Sequence, residues 1–135
     1  MLEEFVKLTI MPYLLVGGLI TTVTIIFAFA PQKAVMRSLK LDWHEEYSPV
    51  VRHWGFMVLL VGIFLIWAAF DRTVLFPAMV LSTVEKAFMV FLFFSNVKKD
   101  WIRGYRPMGV IDTIMVIYAL LYFAVLIGKN STALF

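Results

Sequence analysis

The chain has 135 residues, 62% of them hydrophobic, and a mean hydropathy of +0.91; soluble domains average about 45–50% apolar residues, so no sizeable soluble domain fits beside the apolar part. It contains no cysteine, which excludes disulfides, thiolate metal sites and cysteine nucleophiles. The net charge is +3 with a pI of about 9.3, but the basic residues flank apolar segments, a pattern of membrane topology and not of nucleic-acid binding.

A spanning helix takes about 20 mostly apolar residues, and four such helices account for most of the chain. The stretch Met1 to Lys7 is acidic where a secretory signal is basic, and no small-residue cleavage site follows the apolar run. The first apolar segment is therefore expected as a retained helix, from about Leu8 to Ala30, with Pro12 in its first turn. Gly17 and Gly18 allow close backbone approach to a neighbour. Thr21, Thr22 and Thr24 can bond back to helix carbonyls or reach across to another helix, and Pro31 closes the segment.

Between Gln32 and Trp43, residues Ala34, Val35, Met36, Leu39 and Trp43 fall on one helical face and Lys33, Arg37 and Lys40 on the other. This predicts a short amphipathic helix in the membrane interface over about 32–43, with a loop as the alternative. His44 to Pro49 turns the chain back. The second span is expected at Val50–Phe70, with Arg52 and His53 in its first turn and Gly55 and Gly62 sharing a face for close packing. Asp71-Arg72 makes a tight hairpin. The third span is expected at Thr73–Val97, with Pro77 near its start and Ala78 and Ser82 on the same face as Lys86. The fourth runs from Pro107 to Gly128, with Asp112 in its first turns and Tyr118 and Tyr122 on one face further in. Asn130-Ser131-Thr132 matches a glycosylation sequon close to the last span.

Charge counting orients the bundle. Lys7, Arg72 and Lys129 make three basic residues on one side. Lys33, Arg37, Lys40 and Arg52, with Lys98, Lys99, Arg103 and Arg106, make eight on the other. The first and third loops are thus expected in the cytoplasm and both termini outside, in a bacterial inner (plasma) membrane. The fold class expected is an all-α, four-transmembrane-helix bundle forming a single domain.

Glu85 and Lys86 stand in the middle of the third span, about 15 Å from either end at 1.5 Å per residue. Ionisable groups at that depth are costly unless they face protein or water. Sequence neighbours diverge by about 100° on a helix, so Glu85 and Lys86 are not expected simply to cancel. Thr21 and Thr22 on the first span and Tyr118 on the fourth are the depth-matched partners, with Ser82 on the Lys86 face. Two readings stand: a proton or ligand site, or a buried polar clasp that fixes helix register. Arg52, His53 and Asp112 form a second candidate group at the cytoplasmic interface, either for an anionic headgroup or small ligand, or as an anchor with an Arg52–Asp112 pair. His44, Glu45, Glu46 and His53 fit no metal-ligand spacing, so no metal and no cofactor are expected. No nucleophile–base pair or phosphate-binding glycine loop is present.

The order of features, with Arg52-His53-Trp54-Gly55 opening the second span and Gly62 following, resembles the DoxX-like group of small four-helix membrane proteins. That resemblance covers most of the chain. It implies the architecture and carries no catalytic motif over, since members range from redox-enzyme subunits to a receptor-assembly helper. In size and helix number the chain is also similar to the small multidrug resistance exporters, whose membrane glutamate lies on the first helix instead of the third. The function expected first is a non-enzymatic accessory or assembly protein, packing against the lipid bilayer and a larger membrane partner or a second copy. The alternatives are a small oligomeric proton-coupled carrier using Glu85 and Lys86, and a membrane enzyme or lipophile binder.

Overall fold

A computed structural model describes residues 1–128, and all of their regular structure is helical. The elements are α1 (Leu2–Thr22), α2 (Ile25–Phe29), α3 (Pro31–Ala34), α4 (Ser48–Phe70), α5 (Leu75–Ser95) and α6 (Arg106–Gly128). Short 3-10 turns precede α4, α5 and α6. Four stretches are long and apolar enough to cross a membrane: Leu2–Phe29, Glu45–Phe70, Arg72–Ser95 and Asp100–Gly128. The Asn130 sequon and Lys129 lie outside the described residues.

The first span departs from expectation in two ways. Its helix begins at Leu2, not Leu8, which puts Pro12 in the interior of α1 and not in a first turn. The early start has a local cause: Glu3 and Glu4 sit in the first turn, where carboxylates suit the helix dipole, and Lys7 pairs with Glu3 at 2.7 Å one turn away. The span is also interrupted after Thr22. Three threonines crowd the break, each donating its hydroxyl to a carbonyl of the preceding turn: Thr21 to Gly17, Thr22 to Leu19 and Thr24 to Thr21. Such back-bonding competes with the backbone ladder, and regular α-helix resumes at Ile25.

The segment expected as one helix over 32–43 is shorter. Helix α3 passes into a π-type turn over Val35–Leu39, which stops at Lys40 in the left-handed conformation (φ 56°). The Lys40 and Leu41 amides both return to the Val35 carbonyl, a closure of the kind that satisfies orphan helix-end carbonyls. Residues Leu41–His44 have no helical structure, and α4 begins at Ser48 with Pro49 in its first turn. Ala34, Val35 and Leu39 do turn inward, against Phe27, while Lys33, Arg37 and Lys40 are exposed. The third span is α-helical over Leu75–Ser95 and the fourth from Arg106, each slightly inside or beyond its expected limits.

Glycine contacts set the closest helix crossing. A Cβ on Gly62 would lie 2.8 Å from the Thr22 nitrogen, and one on Gly18 would lie 2.9 Å from the Gly62 carbonyl oxygen. Only residues without side chains let α1 and α4 touch backbone to backbone there. Gly55 meets Phe27 and Ala28 of α2 in the same way, its Cβ position 2.6 Å from the Phe27 Cβ. On the other side of the bundle, Gly109 of α6 leaves room for the Phe93 ring of α5.

The interior has three layers. A large apolar core at the Asp71 hairpin end joins α1, α4, α5 and α6 through Leu14, Leu65, Leu75, Met79 and Tyr122. A smaller one at the opposite end gathers Phe27, Ala34, Val35 and Leu39 under Trp43, Trp54 and Tyr105. Polar side chains lie between the two. Outward faces are apolar throughout, with Val84, Phe88, Phe91, Ile114 and Ile117 all well exposed, more apolar surface than a soluble monomer displays.

Candidate functional site

The inward stripe of α5 reads Leu75, Ala78, Met79, Ser82, Lys86 and Phe93, and that of α6 reads Gly109, Asp112, Met115, Ala119, Tyr122 and Val125. These stripes face each other, so Lys86 meets Asp112. The Lys86 Nζ donates to the Asp112 Oδ1 at 2.9 Å, with side chains only 4% and 12% exposed. An ammonium and a carboxylate in direct contact are the cheapest way to hold charge in an apolar interior.

Glu85 is the remaining member. Although its Cβ diverges from that of Lys86, the two side chains bend together, with the Glu85 Oε2 3.6 Å from the Lys86 Nζ. The expectation that neighbours point separate ways is corrected here: both side chains are long enough to converge on one point. The contact is an ion pair without a hydrogen bond, and the buried Oε2 has no hydrogen-bond partner. The side chain retains 24% exposure. One ammonium is therefore shared by two carboxylates. The group is electrically neutral only if a carboxylate holds a proton or a second cation joins.

Thr21, Thr24, Glu85, Lys86 and Asp112, with apolar neighbours such as Ile20, Val58 and Met108, line a cavity of about 60 Å³, large enough for a water that the five polar side chains could hold. Of the residues expected at this site, Thr21 is thus beside it. Ser82 is one turn from Lys86 and 1% exposed, with a hydroxyl that has no partner. Thr22 and Tyr118 are not at the site. Thr22 faces Gly62 across the α1–α4 crossing. Tyr118 lies six residues, about 9 Å, further along α6 and stacks on Tyr13 at 4.1 Å while sharing a 2.9 Å hydrogen bond with Thr9.

The second expected group does not assemble. Asp112 is taken by Lys86. Arg52 instead donates to the Ala28 carbonyl at 2.8 Å, the Phe29 carbonyl at 3.5 Å and the Ser48 hydroxyl at 3.2 Å. It caps the exposed end of α2, where carbonyls lack intrahelical donors. His53 is exposed. Asp112 lies deeper than the mouth of its helix, because it sits on the stripe that Gly109 and Met115 mark as buried.

Sequence reasoning also missed a groove. Helices α4 and α5 are joined at Asp71, and further along them a cleft of about 700 Å³ opens between them to the outside. Its α4 wall carries Trp54, Met57, Val61 and Phe64, spaced three and four apart, and its α5 wall Leu81, Glu85, Phe88 and Leu92, spaced four and three apart. Among the described residues Glu85 is the only ionisable one lining it, and Glu85 also lines the small cavity beside Lys86 and Asp112. The carboxylate thus stands between groove and triad. A further cavity of about 470 Å³ under Trp43, Tyr47 and Tyr105 abuts the groove at Trp54, Met89 and Leu92.

No family model, curated protein or solved structure matches the chain.

Proposed function

We propose that the chain is a non-enzymatic accessory protein of a membrane, which holds another membrane protein laterally along the α4–α5 groove. The observation carrying this reading is the groove itself: an apolar trough on the outward surface, walled by two helices, with one incompletely paired carboxylate at mid-height. In this reading the four long helices span the bilayer, the segment Pro31–Leu39 lies in the interface, and the eight basic residues of the first and third loops put those loops in the cytoplasm. Lys86 and Asp112 then form the structural clasp between α5 and α6, and Glu85 is the functional member of the triad.

The test is photo-crosslinking in cells. A photoreactive residue replaces Leu60 or Val84 in the groove, or Ile114 or Ile117 on the outer face of α6. Crosslinks to one and the same membrane protein are expected from the groove positions and not from α6. Crosslinks to lipid alone at all four positions would end the proposal.

A second reading, a proton-coupled carrier, is favoured by the small cavity that Glu85, Lys86 and Asp112 share, next to an excess carboxylate. Glu85 would there be the group that takes up and releases the proton. Proteoliposomes under an imposed pH gradient test it: equal proton flux through wild type and Glu85→Gln removes it.

A further inference from the structure

From the shape and charge of the groove we infer the chemistry of its partner: a transmembrane helix bearing one lysine or arginine near its middle, which pairs with Glu85. The inference rests on the lateral-association reading above. Three observations lead to it.

The first is charge. Lys86 donates to Asp112 at 2.9 Å, while Glu85 has only a looser 3.6 Å ion pair with the same ammonium and keeps part of its side chain on the groove wall. A second cation in the groove would make the site two ammonium-type groups against two carboxylates, neutral with no proton added. A buried carboxylate is strongly favoured by such a partner and costly without one. The second is shape. From Trp54 to Phe64 the groove runs ten residues, about 15 Å. A volume of about 700 Å³ over that length is a mean cross-section of about 45 Å², more than half that of a helix about 10 Å across. The walls present side chains at alternating three- and four-residue spacing on both helices, which is the spacing that receives the knobs of a third helix. A single alkyl chain would leave most of this width unfilled.

The third observation decides against a second copy of this chain. Among the described residues, Lys86 is the only lysine or arginine more than two turns from the end of a long helix, and it is 4% exposed and already paired. Lys7, Arg52 and Arg106 sit within the first two turns of their helices. The described residues of a second copy therefore offer no free cation at the height of Glu85, which assigns the cation to a different protein.

The test uses the full chain in phosphatidylcholine vesicles with a synthetic helix of about 20 leucine and alanine residues carrying one central lysine. A counterpart with leucine at that position serves as reference, and association is read by energy transfer between labels. The lysine peptide is expected to bind at least about tenfold more tightly than the leucine peptide, as a charge-assisted contact in an apolar site implies. Glu85→Gln should bring the two peptides level. Val84→Trp, which fills the groove from its exposed side and leaves the triad intact, should weaken both. Equal binding of the two peptides to wild type, or a lysine preference that survives Glu85→Gln, would overturn the inference. So would a Glu85-dependent affinity for dodecyltrimethylammonium that the lysine peptide lacks, which would make the occupant a small amphiphile. Groove crosslinks to a membrane protein without any lysine preference would sink this inference and leave lateral association standing; absence of both would end both.

Discussion

Removing each member of the triad in turn should give three different losses of stability, in an order fixed by charge. Lys86→Met leaves Asp112 and Glu85 facing one another with no cation. Breaking a buried ion pair from one side costs about 3–5 kcal/mol, whereas neutral polar contacts between membrane helices are worth only about 0.6–1.7 kcal/mol, since the unfolded chain in lipid also finds partners. The loss for Lys86→Met should lie between these limits, at about 3 kcal/mol, because Lys86 is 4% exposed and serves both carboxylates. Asp112→Asn should cost about 1–2 kcal/mol: the amide still accepts a hydrogen bond, and Glu85, already 3.6 Å from the ammonium, supplies the counter-charge. Glu85→Gln should change stability least, because it removes the surplus charge and leaves the 2.9 Å pair whole. Equilibrium unfolding in mixed micelles, followed by tryptophan fluorescence, measures all three. A cost for Glu85→Gln equal to that of Asp112→Asn would refute the division into a structural pair and a surplus acid. A cost for Asp112→Asn as large as that for Lys86→Met would show that Glu85 cannot stand in.

Three further outcomes follow from local geometry. Gly62→Leu forces atoms into the Thr22 backbone, 2.8 Å from the would-be Cβ, and should cost about 1–3 kcal/mol as overpacking; Gly128→Leu, with nothing within 4 Å, should be neutral in the same melting assay. Arg52→Met strips the donor from the Ala28 carbonyl and should cost about 1 kcal/mol, with faster hydrogen exchange confined to α2 and the turn after it. Asp71 accepts from the Thr73 hydroxyl at 2.6 Å and the Thr73 amide at 3.0 Å, and chiefly the hydroxyl bond holds its carboxyl below the ordinary aspartate value. A depressed folded-state value means that the contribution is present above the unfolded value and lost as pH falls through the folded one. The melting difference between wild type and Asp71→Ala should therefore be seen at neutral pH and vanish in strong acid; a difference that persists there would show that the hairpin does not depend on the ionised side chain.

Helix number could be read from the sequence because each apolar run is long enough to span, and Pro31, Pro49 and Asp71 stand at or next to element ends. The ends that were misplaced lack such marks. Glu3, Glu4 and Lys7 look like a charged flank, yet Glu3 and Lys7 support a helix by lying one turn apart. Lys40 takes a left-handed conformation that composition would assign to glycine or asparagine. The candidate site was half legible. Glu85 and Lys86 announce themselves by depth, and the spacing from Ser82 to Lys86 places the lysine inward. Asp112 could have been found by the same spacing argument, since Gly109, Asp112 and Met115 recur every three residues. Which helix faces which is a matter of pairing between segments, and periodicity within one segment says nothing about it; the groove was invisible for that reason.

The groove has a physical origin in how the two arms of the α4–α5 hairpin are held. Gly55 and Gly62 lie on the face of α4 that meets α2 and α1, and they bring those backbones into contact. Lys86 and Phe93 lie on the face of α5 that meets Asp112 and Gly109 of α6. Each arm thus has its tightest contacts with a different neighbour, while Asp71 ties the arms together at one end only. Two helices so fastened need not pack closely on each other beyond the turn, and the cleft lies between them there. The residues left between them keep the apolar character of a helix seam without a third helix to fill it. Glu85 falls on this unfilled seam because it is one residue from Lys86: the step of about 100° that carries Lys86 toward α6 carries Glu85 toward the groove. The adjacency of acid and base is therefore what lets one short stretch of α5 fasten the bundle on one side and offer a carboxylate on the other. Exchanging the two residues, Glu85→Lys with Lys86→Glu, keeps composition and net charge but sets a carboxylate against Asp112. That variant should be less stable than wild type by at least the loss for Lys86→Met, and wild-type stability in it would show that direction on the helix does not matter.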